Sequence, residues 1–546
     1  MSTTKTAAEA LLQAMAEAGI DYLFANAGTD FPPIIEALAK DGTATPKALT
    51  IAHEGVAVAM AHGAWLASGR VQAVMVHVNV GLANAVMGLI NARSDDVPML
   101  MMSGRTPLTE AGRTGHRMSP VQYGQEMYDQ TGLVRELVKF DYELRYPEQA
   151  AALVHRALAI TKSAPMGPSY LSLPKEPLSE PVPEGAAEHP APPAASPAQI
   201  DPDASVRIRD WLVKARSAAI VCQRGDPEGR LGPLISTLAE KTGATVYEPF
   251  TVRNVLAASD PAFGGYRSPA PDHDLILVID SQTPWIEATS APDPNARVVH
   301  IGPDPHVSRL PIRGFRSDLA VTADPVLAVA ALLDGMDGKP TPRTVRDWRP
   351  PTPAPSDPMS TEWMSHCVGQ IMDDETLAFS ELGLLPEYLD LTAQNRHFNH
   401  AHSGGLGWAL PAALGAQVMR PGKLTIACMG DGSYMFANPV ACHLASEALG
   451  LPVLTIVKNN ATWNAVRRSV LDGYPEGAAV RANTMPLTDL SPIPDFAAIA
   501  RASRGHAETI TDGAALPEAL ERAVTIIRDE KRPVLLDCHV ALSDHH

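Results

Sequence analysis

Cysteine is scarce, with five residues (Cys222, Cys367, Cys428, Cys442 and Cys538) in a chain of 546. Their number is odd, they are widely scattered, and no two have zinc-ligand spacing, so a disulfide framework and a thiolate metal site are both poor fits and reduced thiols are the simple account. Long apolar runs are missing as well, since nothing approaches the roughly 18 to 20 residues needed to cross a bilayer. The N-terminal residues lack the basic start and continuous apolar core of a signal peptide. Basic charge is in short supply: 44 Lys and Arg against 61 Asp and Glu leave a net charge of −17. That balance argues against a nucleic-acid partner or an anionic membrane surface. Together these absences predict a soluble, cytoplasmic protein. A content of 45% hydrophobic and 19% charged residues is that of a globular chain. The length is enough for three domains of about 150 to 200 residues each.

Helical and strand patterns alternate through the first 180 residues. Helices are expected at 7–18, 31–39, 55–66, about 82–93 and 147–162, with strands at 22–26, 47–52, 73–77, 99–103 and 170–173. Such alternation predicts a parallel sheet covered by helices. From Pro174 to Pro202 the composition shifts to Pro, Ala and Glu, which reads as a surface linker. The alternation restarts with strands at 218–222, 275–280 and 298–301, and a second Pro-rich stretch spans 338–358. The expected fold class is α/β, with three doubly wound parallel-sheet domains: 1–180, a linker at 181–202, a central domain at 203–337, a linker at 338–358, and 359–546. No GxGxxG follows the first central strand, where Cys222-Gln223-Arg224-Gly225-Asp226 stands, so a dinucleotide such as FAD is not expected.

Residues 429–463 carry the most specific chemistry. A buried strand ends at Gly430-Asp431-Gly432-Ser433, a helix follows, and a second buried strand ends at Asn459-Asn460. In a βαβ unit both ends lie at the carboxyl edge of a parallel sheet, where open α/β sheets bind ligands. A carboxylate and a carboxamide supply hard oxygens, which suit Mg²⁺ or Ca²⁺. Glycines beside Asp431 let backbone amides approach a phosphate. A diphosphate held through a divalent cation is the direct reading. A GDG tripeptide alone would be an ordinary turn, and the later Asn pair is what makes the pattern specific.

This pattern resembles the thiamin diphosphate motif, and the chain is similar throughout to the enzymes of the acetolactate synthase and benzoylformate decarboxylase group. The resemblance implies a pyrimidine-binding domain at 1–180, a central domain, and a diphosphate- and metal-binding domain at 359–546. It makes Asp431, Asn460 and the carbonyl of Thr462 the Mg²⁺ ligands, and places Gly430, Gly432 and Ser433 at the diphosphate. Glu54, in Ile51-Ala52-His53-Glu54-Gly55, matches the glutamate that hydrogen-bonds the cofactor pyrimidine and promotes formation of the ylid. By the residues alone, Glu54 is equally a helix N-terminal carboxylate stabilised by the dipole. Gly405 and Leu406, in Ser403-Gly404-Gly405-Leu406-Gly407, match the segment whose apolar side chain bends the cofactor.

Further pocket residues follow from the same likeness. His77, before Val78-Asn79-Val80-Gly81-Leu82, matches an active-site histidine of the benzoylformate decarboxylase pattern, and an imidazole can move protons near neutral pH. The bland alternative is a structural histidine at a strand end. Thr29 and Asp30 fall in an active-site loop, although either could simply cap the following helix. Gln122, Gln125 and Glu126 resemble a substrate-channel region, and His400 and His402 either face the pocket or are surface turns. Arg467, Arg468 and Ser469 replace bulky aromatics beyond the Asn pair, as a solvated face or as a binder of an acidic group.

The expected activity is decarboxylation of a 2-oxo acid by the benzoylformate decarboxylase route: addition of the ylid, loss of CO₂, and protonation of the enamine to an aldehyde. An acetolactate synthase-like carboligase and a C–C lyase or hydrolase are the alternatives within the chemistry. A non-catalytic cofactor-binding subunit is the alternative outside it. The resemblance also implies a homodimer or homotetramer with active sites at the chain interface.

Overall fold

The computed structural model describes residues 5–42, 44–186, 190–336, 351–482 and 484–543. Its strands form three sheets of six, each parallel throughout. The first contains β1 (Tyr22–Ala25), β2 (Lys47–Thr50), β3 (Gln72–Val76), β4 (Met99–Arg105), β5 (Asp141–Glu143) and β6 (Ser169–Pro174), in the order β2-β1-β3-β4-β6-β5. The second contains β7 (Ala218–Cys222), β8 (Thr245–Tyr247), β9 (Phe263–Gly265), β10 (Leu275–Ile279), β11 (Arg297–Gly302) and β12 (Leu319–Thr322), in the order β12-β11-β10-β7-β8-β9. The third contains β13 (Leu377–Glu381), β14 (His397–Asn399), β15 (Thr425–Gly430), β16 (Leu454–Asn459), β17 (His506–Ile510) and β18 (Val534–His539), in the order β14-β13-β15-β16-β18-β17.

The first and third sheets therefore share one winding, in which the chain steps to one side, returns, and continues on the other. The second sheet follows the strand order of dinucleotide-binding folds. Its switch point lies between β7 and β10, where Arg224 pairs with Asp280 at 3.3 Å and reaches Gln282 at 3.1 Å. Trp285, beyond that point, is fully buried in the core. The central strands β3, β7 and β10 are buried along their whole length, as parallel strands covered on both faces must be.

The chain packs as two compact units: residues 1–196 with 401–421 and 437–451, and residues 197–400 with 422–436 and 452–546. The first unit holds the first sheet with its helices α1 (Ala7–Glu17), α2 (Pro32–Ala39), α3 (Glu54–Ser68) and α4 (Val78–Ser94). In this unit α3 packs directly on the helix Ala409–Met419. A Cβ on Gly63 would stand 1.9 Å from the Ala412 carbonyl oxygen, and one on Gly415 would stand 1.8 Å from that of Met60. The two glycines let the helix backbones touch.

Two expectations change. The Pro-rich stretch opens as a buried turn of helix, Lys175–Ser179, because Glu176 accepts hydrogen bonds from the amide and hydroxyl of Thr109, both at 2.9 Å. The helix expected from about residue 82 starts at Val78. Of the second Pro-rich stretch, residues 338–350 lie outside the described residues.

Candidate active site

In the first unit, β1 and β3 are neighbours, so the loops leaving their carboxyl ends adjoin. The first loop supplies Asp30 and the second His77, whose Nδ1 lies 2.5 Å from Asp30 Oδ1. Asp30 Oδ2 accepts the amide of Val78, the first residue of α4, at 3.2 Å. This tertiary carboxylate caps α4 where Val78, Val80 and Gly81 give poor local helix propensity. Gln125 Nε2 lies 3.2 Å from His77 Nε2, so both ring nitrogens are engaged. The bond to Asp30 raises the His77 imidazole above its ordinary value against the opposing effect of burial, and the charges of Asp30 and Glu54 add to the rise.

Glu54 begins α3, behind His53 at the N-cap, and its Oε2 accepts from Asn84 of α4 at 3.1 Å. A Cβ on Gly81 would stand 3.0 Å from Glu54 Oε1, so this glycine lies in close contact with the carboxylate. Neither Thr29 nor Asp30 caps α2: the N-cap is Phe31, without a side-chain bond, because the Asp30 carboxylate is committed to His77 and Val78. Thr29 is exposed.

Gln122 and Gln125 part company. Gln122 is buried and folds back on its own loop, accepting from the amides of Met118 at 2.6 Å and Ser119 at 3.3 Å. Gln125 is the member that reaches the imidazole. Its neighbour Glu126 is gripped by Arg105 and Thr106, both at 2.7 Å, and by Arg117. Burial opposes charge on Glu126, but these bonds prevail and hold its carboxyl below the usual range.

Leu406 sits half-buried in a loop with Gly404 and Gly407 at φ 68° and 89°. Asn91 of α4 pins that loop. Its Oδ1 accepts from Ser403 Oγ at 2.7 Å and Gly405 N at 3.2 Å, while its Nδ2 donates to the Gly405 carbonyl at 2.8 Å. His402 is exposed in this unit. His400 belongs to the other unit, half-buried after β14, with its amide on the Ser380 carbonyl at 3.0 Å.

In the second unit, β15 and β16 pair in parallel with Gly430 opposite Lys458, which brings Asp431 and Asn460 to one edge. Asp431 is not in a loop: β15 ends at Gly430 and a short helix, Asp431–Phe436, starts at once. The Asp431 carboxylate is buried and accepts the amides of Gly432 at 2.7 Å and Asn460 at 3.0 Å. Burial raises its carboxyl above the usual range, and amides of residues 432 and 460–462 oppose the rise. Asn460 Oδ1 accepts from Thr462 N at 3.1 Å, and the Thr462 carbonyl accepts from Asn464 N at 2.7 Å. Each oxygen keeps a second lone pair. Asn459 points elsewhere, donating to Asp537 Oδ1 at 2.9 Å.

This donor set fits a hard divalent cation. Asp431, Asn460 and the Thr462 carbonyl could each offer an oxygen, and a buried carboxylate met by neutral amides would gain from a cation. Among the described residues no cluster of three or more His, Cys, Asp or Glu could hold a metal ion. The ring of Trp463 lies over Gly432, where a Cβ would stand 2.0 Å from it. Beyond it, Arg467 and Arg468 are half-buried on the helix Asn464–Gly473, not a solvated face, and burial lowers Arg468 from its ordinary value.

Asn84, Asn91, Gly81 and Trp463 were not singled out in the sequence. The signal available was topological: Asn84 and Asn91 lie on α4, the helix that follows His77.

Comparison with known proteins agrees with this layout. Residues 5–133 match the thiamine pyrophosphate enzyme N-terminal TPP binding domain, and residues 383–538 match the corresponding C-terminal TPP binding domain. Benzoylformate decarboxylase of Pseudomonas aeruginosa is 26% identical over 98% of both chains. The acetolactate synthase large subunit of Parasynechococcus marenigrum is 25% identical over 98% of this chain and 88% of its own. Among solved structures, benzoylformate decarboxylase from Polynucleobacter necessarius superposes with a TM-score of 0.83 at 19% identity over 99% of both chains. The 4-hydroxybenzoylformate decarboxylase of Rhodococcus jostii RHA1 does so with a TM-score of 0.80 at 21% identity, over 99% of this chain and all of the other. Two matched domains in the expected order, a shared three-sheet fold and relatives aligned over nearly the whole chain place it in the thiamine pyrophosphate-dependent enzymes of the benzoylformate decarboxylase and acetolactate synthase family.

Proposed function

We propose that the protein is a Mg²⁺- and thiamine diphosphate-dependent 2-oxo acid decarboxylase of the benzoylformate decarboxylase type. The observation that carries this reading is His77: an imidazole held at both nitrogens, with its proton affinity raised, under the influence of the Glu54 charge. Bound thiamine diphosphate supplies the carbon nucleophile and the electron sink, chemistry that no side chain offers. Asp431, Asn460 and the Thr462 carbonyl would hold the cation, Gly430, Gly432 and Ser433 the diphosphate, and Gly405 and Leu406 the rings. Glu54 would hold a proton at the pyrimidine N1′. Thr29 would bind the substrate carboxylate, and His77 would deliver the proton that completes an aldehyde.

A carboligase is the second reading, favoured by the acetolactate synthase relative of almost equal identity; C–C lyase or hydrolase chemistry comes third. We infer a homodimer or homotetramer with sites completed between chains, which rests on the resemblance to this family. Among the described residues no helix is long and apolar enough to cross a membrane.

The test is a panel of 2-oxo acids incubated with the loaded enzyme, with CO₂ and organic product both measured. Equimolar CO₂ and aldehyde are expected. A 2-hydroxy ketone or acetolactate-type product would establish the ligase instead, and the absence of aldehyde from every acid would sink the decarboxylase.

A further inference from the structure

The junction around His77 is built more elaborately than a lone strand-end imidazole requires. The Asp30 carboxylate holds the ring through one oxygen and the following backbone amide through the other, at 2.5 and 3.2 Å. Val78, which carries that amide, sits at φ 27°, a region that a β-branched residue occupies only under constraint. A Cβ on Gly104 would stand 1.7 Å from Asp30 Oδ2, and one on Gly28 would stand 2.1 Å from His77 Nδ1. Glycines thus pack both members of the pair, and Asp30 is 2% exposed. The charged and polar groups that act on the ring are Asp30, Glu54 and Gln125.

Building on the catalytic role given to His77, we infer that Asp30 is a positioning residue that locks the imidazole as its Nδ1–H tautomer and reserves Nε2 for proton exchange. The opposite tautomer would turn a bare nitrogen lone pair against a buried carboxylate. Gln125 suits both states of the exchanging atom. Its amide nitrogen donates to neutral Nε2, and with the carboxamide turned over its oxygen accepts from the charged ring. When Nε2–H gives up its proton the ring is left neutral, Nδ1–H stays on Asp30, and water returns the proton at Nε2.

The test is nuclear magnetic resonance of the holoenzyme labelled with ¹⁵N-histidine, with the His77 signals assigned through His77→Gln. In the wild type we expect the neutral ring to carry its proton on Nδ1 and to protonate with a midpoint above the ordinary 6.5. In Asp30→Asn the midpoint falls, kcat drops by about tenfold or more, and the decline of activity with rising pH moves to lower pH. A merely structural aspartate would lower the amplitude without moving that limb. An Nε2–H tautomer in the wild type overturns the proposal even if Asp30→Asn fails to fold. An unchanged midpoint in a folded variant overturns it as well. A midpoint that moves while the pH profile stays fixed removes His77 from the reaction, and so contradicts the catalytic role on which the proposal rests while leaving the Asp30–His77 pairing intact.

Discussion

The carboxamide of Asn84 donates to Oε2 of Glu54 at 3.1 Å, joining α4 to the first residue of α3. One carboxylate oxygen is thereby tethered. Asn84→Ala removes an exposed bond, so stability should move by no more than about 0.5 kcal/mol. Because the carboxylate loses its orientation, kcat should fall by roughly 2- to 10-fold. Steady-state kinetics beside thermal unfolding checks both, and an unchanged kcat would detach Asn84 from the site.

Close contact of α3 with the helix Ala409–Met419 depends on Gly63 and Gly415. Gly63→Ala or Gly415→Ala forces a methyl group into a facing carbonyl and should cost about 1 to 3 kcal/mol or more. Gly473→Ala, at a position with nothing within 4 Å, should be neutral or slightly stabilising. Denaturant unfolding of the three variants gives the comparison.

Loss of a metal oxygen should show in binding before it shows in rate. Asp431→Ala is expected to weaken calorimetric binding of Mg²⁺-thiamine diphosphate by about tenfold or more. Chelation of the cation from the wild type should have the same effect, reversed by added Mg²⁺. Binding equal to wild type would exclude Asp431 as a ligand.

Glu248 gives a pH signature far from the chemistry. Burial pushes its carboxyl up to about 8, although it accepts the amides of Val255 at 3.1 Å and Leu256 at 2.7 Å. A folded-state value above the unfolded 4.5 means stability that is fully present below the unfolded value and lost as pH rises through about 8. Thermal midpoints of the wild type should therefore decline between about pH 4.5 and pH 8 and level off above that. In Glu248→Gln that slope should flatten, whatever the variant's baseline. A slope shared by both proteins would assign the titration to another group.

Much of the α/β plan was visible because strands such as β3 and β7 read as continuous apolar runs bounded by turn residues. The strand β5, Asp141-Tyr142-Glu143, was not, since a short half-buried edge strand with two acidic residues carries no apolar pattern. The start of α4 was hidden for another reason. Its first turn is capped by Asp30, 48 residues before Val78, and local propensity says nothing of such a partner. The same distance concealed the Asp30–His77 pair, although the adjacency of β1 and β3 in a doubly wound sheet could have suggested it. Gln122 and Gln125 looked equivalent in the chain, and only side-chain direction on the turn Val121–Gly124 separates them. The Asp431 and Asn460 edge was readable because its ligands lie at the ends of two consecutive strands that pair directly.

If Glu54 turns bound thiamine diphosphate into a catalyst, deuterium exchange at the cofactor's C2, followed by quenched proton NMR on the loaded enzyme, should depend on that carboxylate. Rapid exchange is expected in the wild type and a rate lower by about 100-fold or more in Glu54→Gln, with cofactor still bound. Equal exchange rates in the two proteins would contradict it.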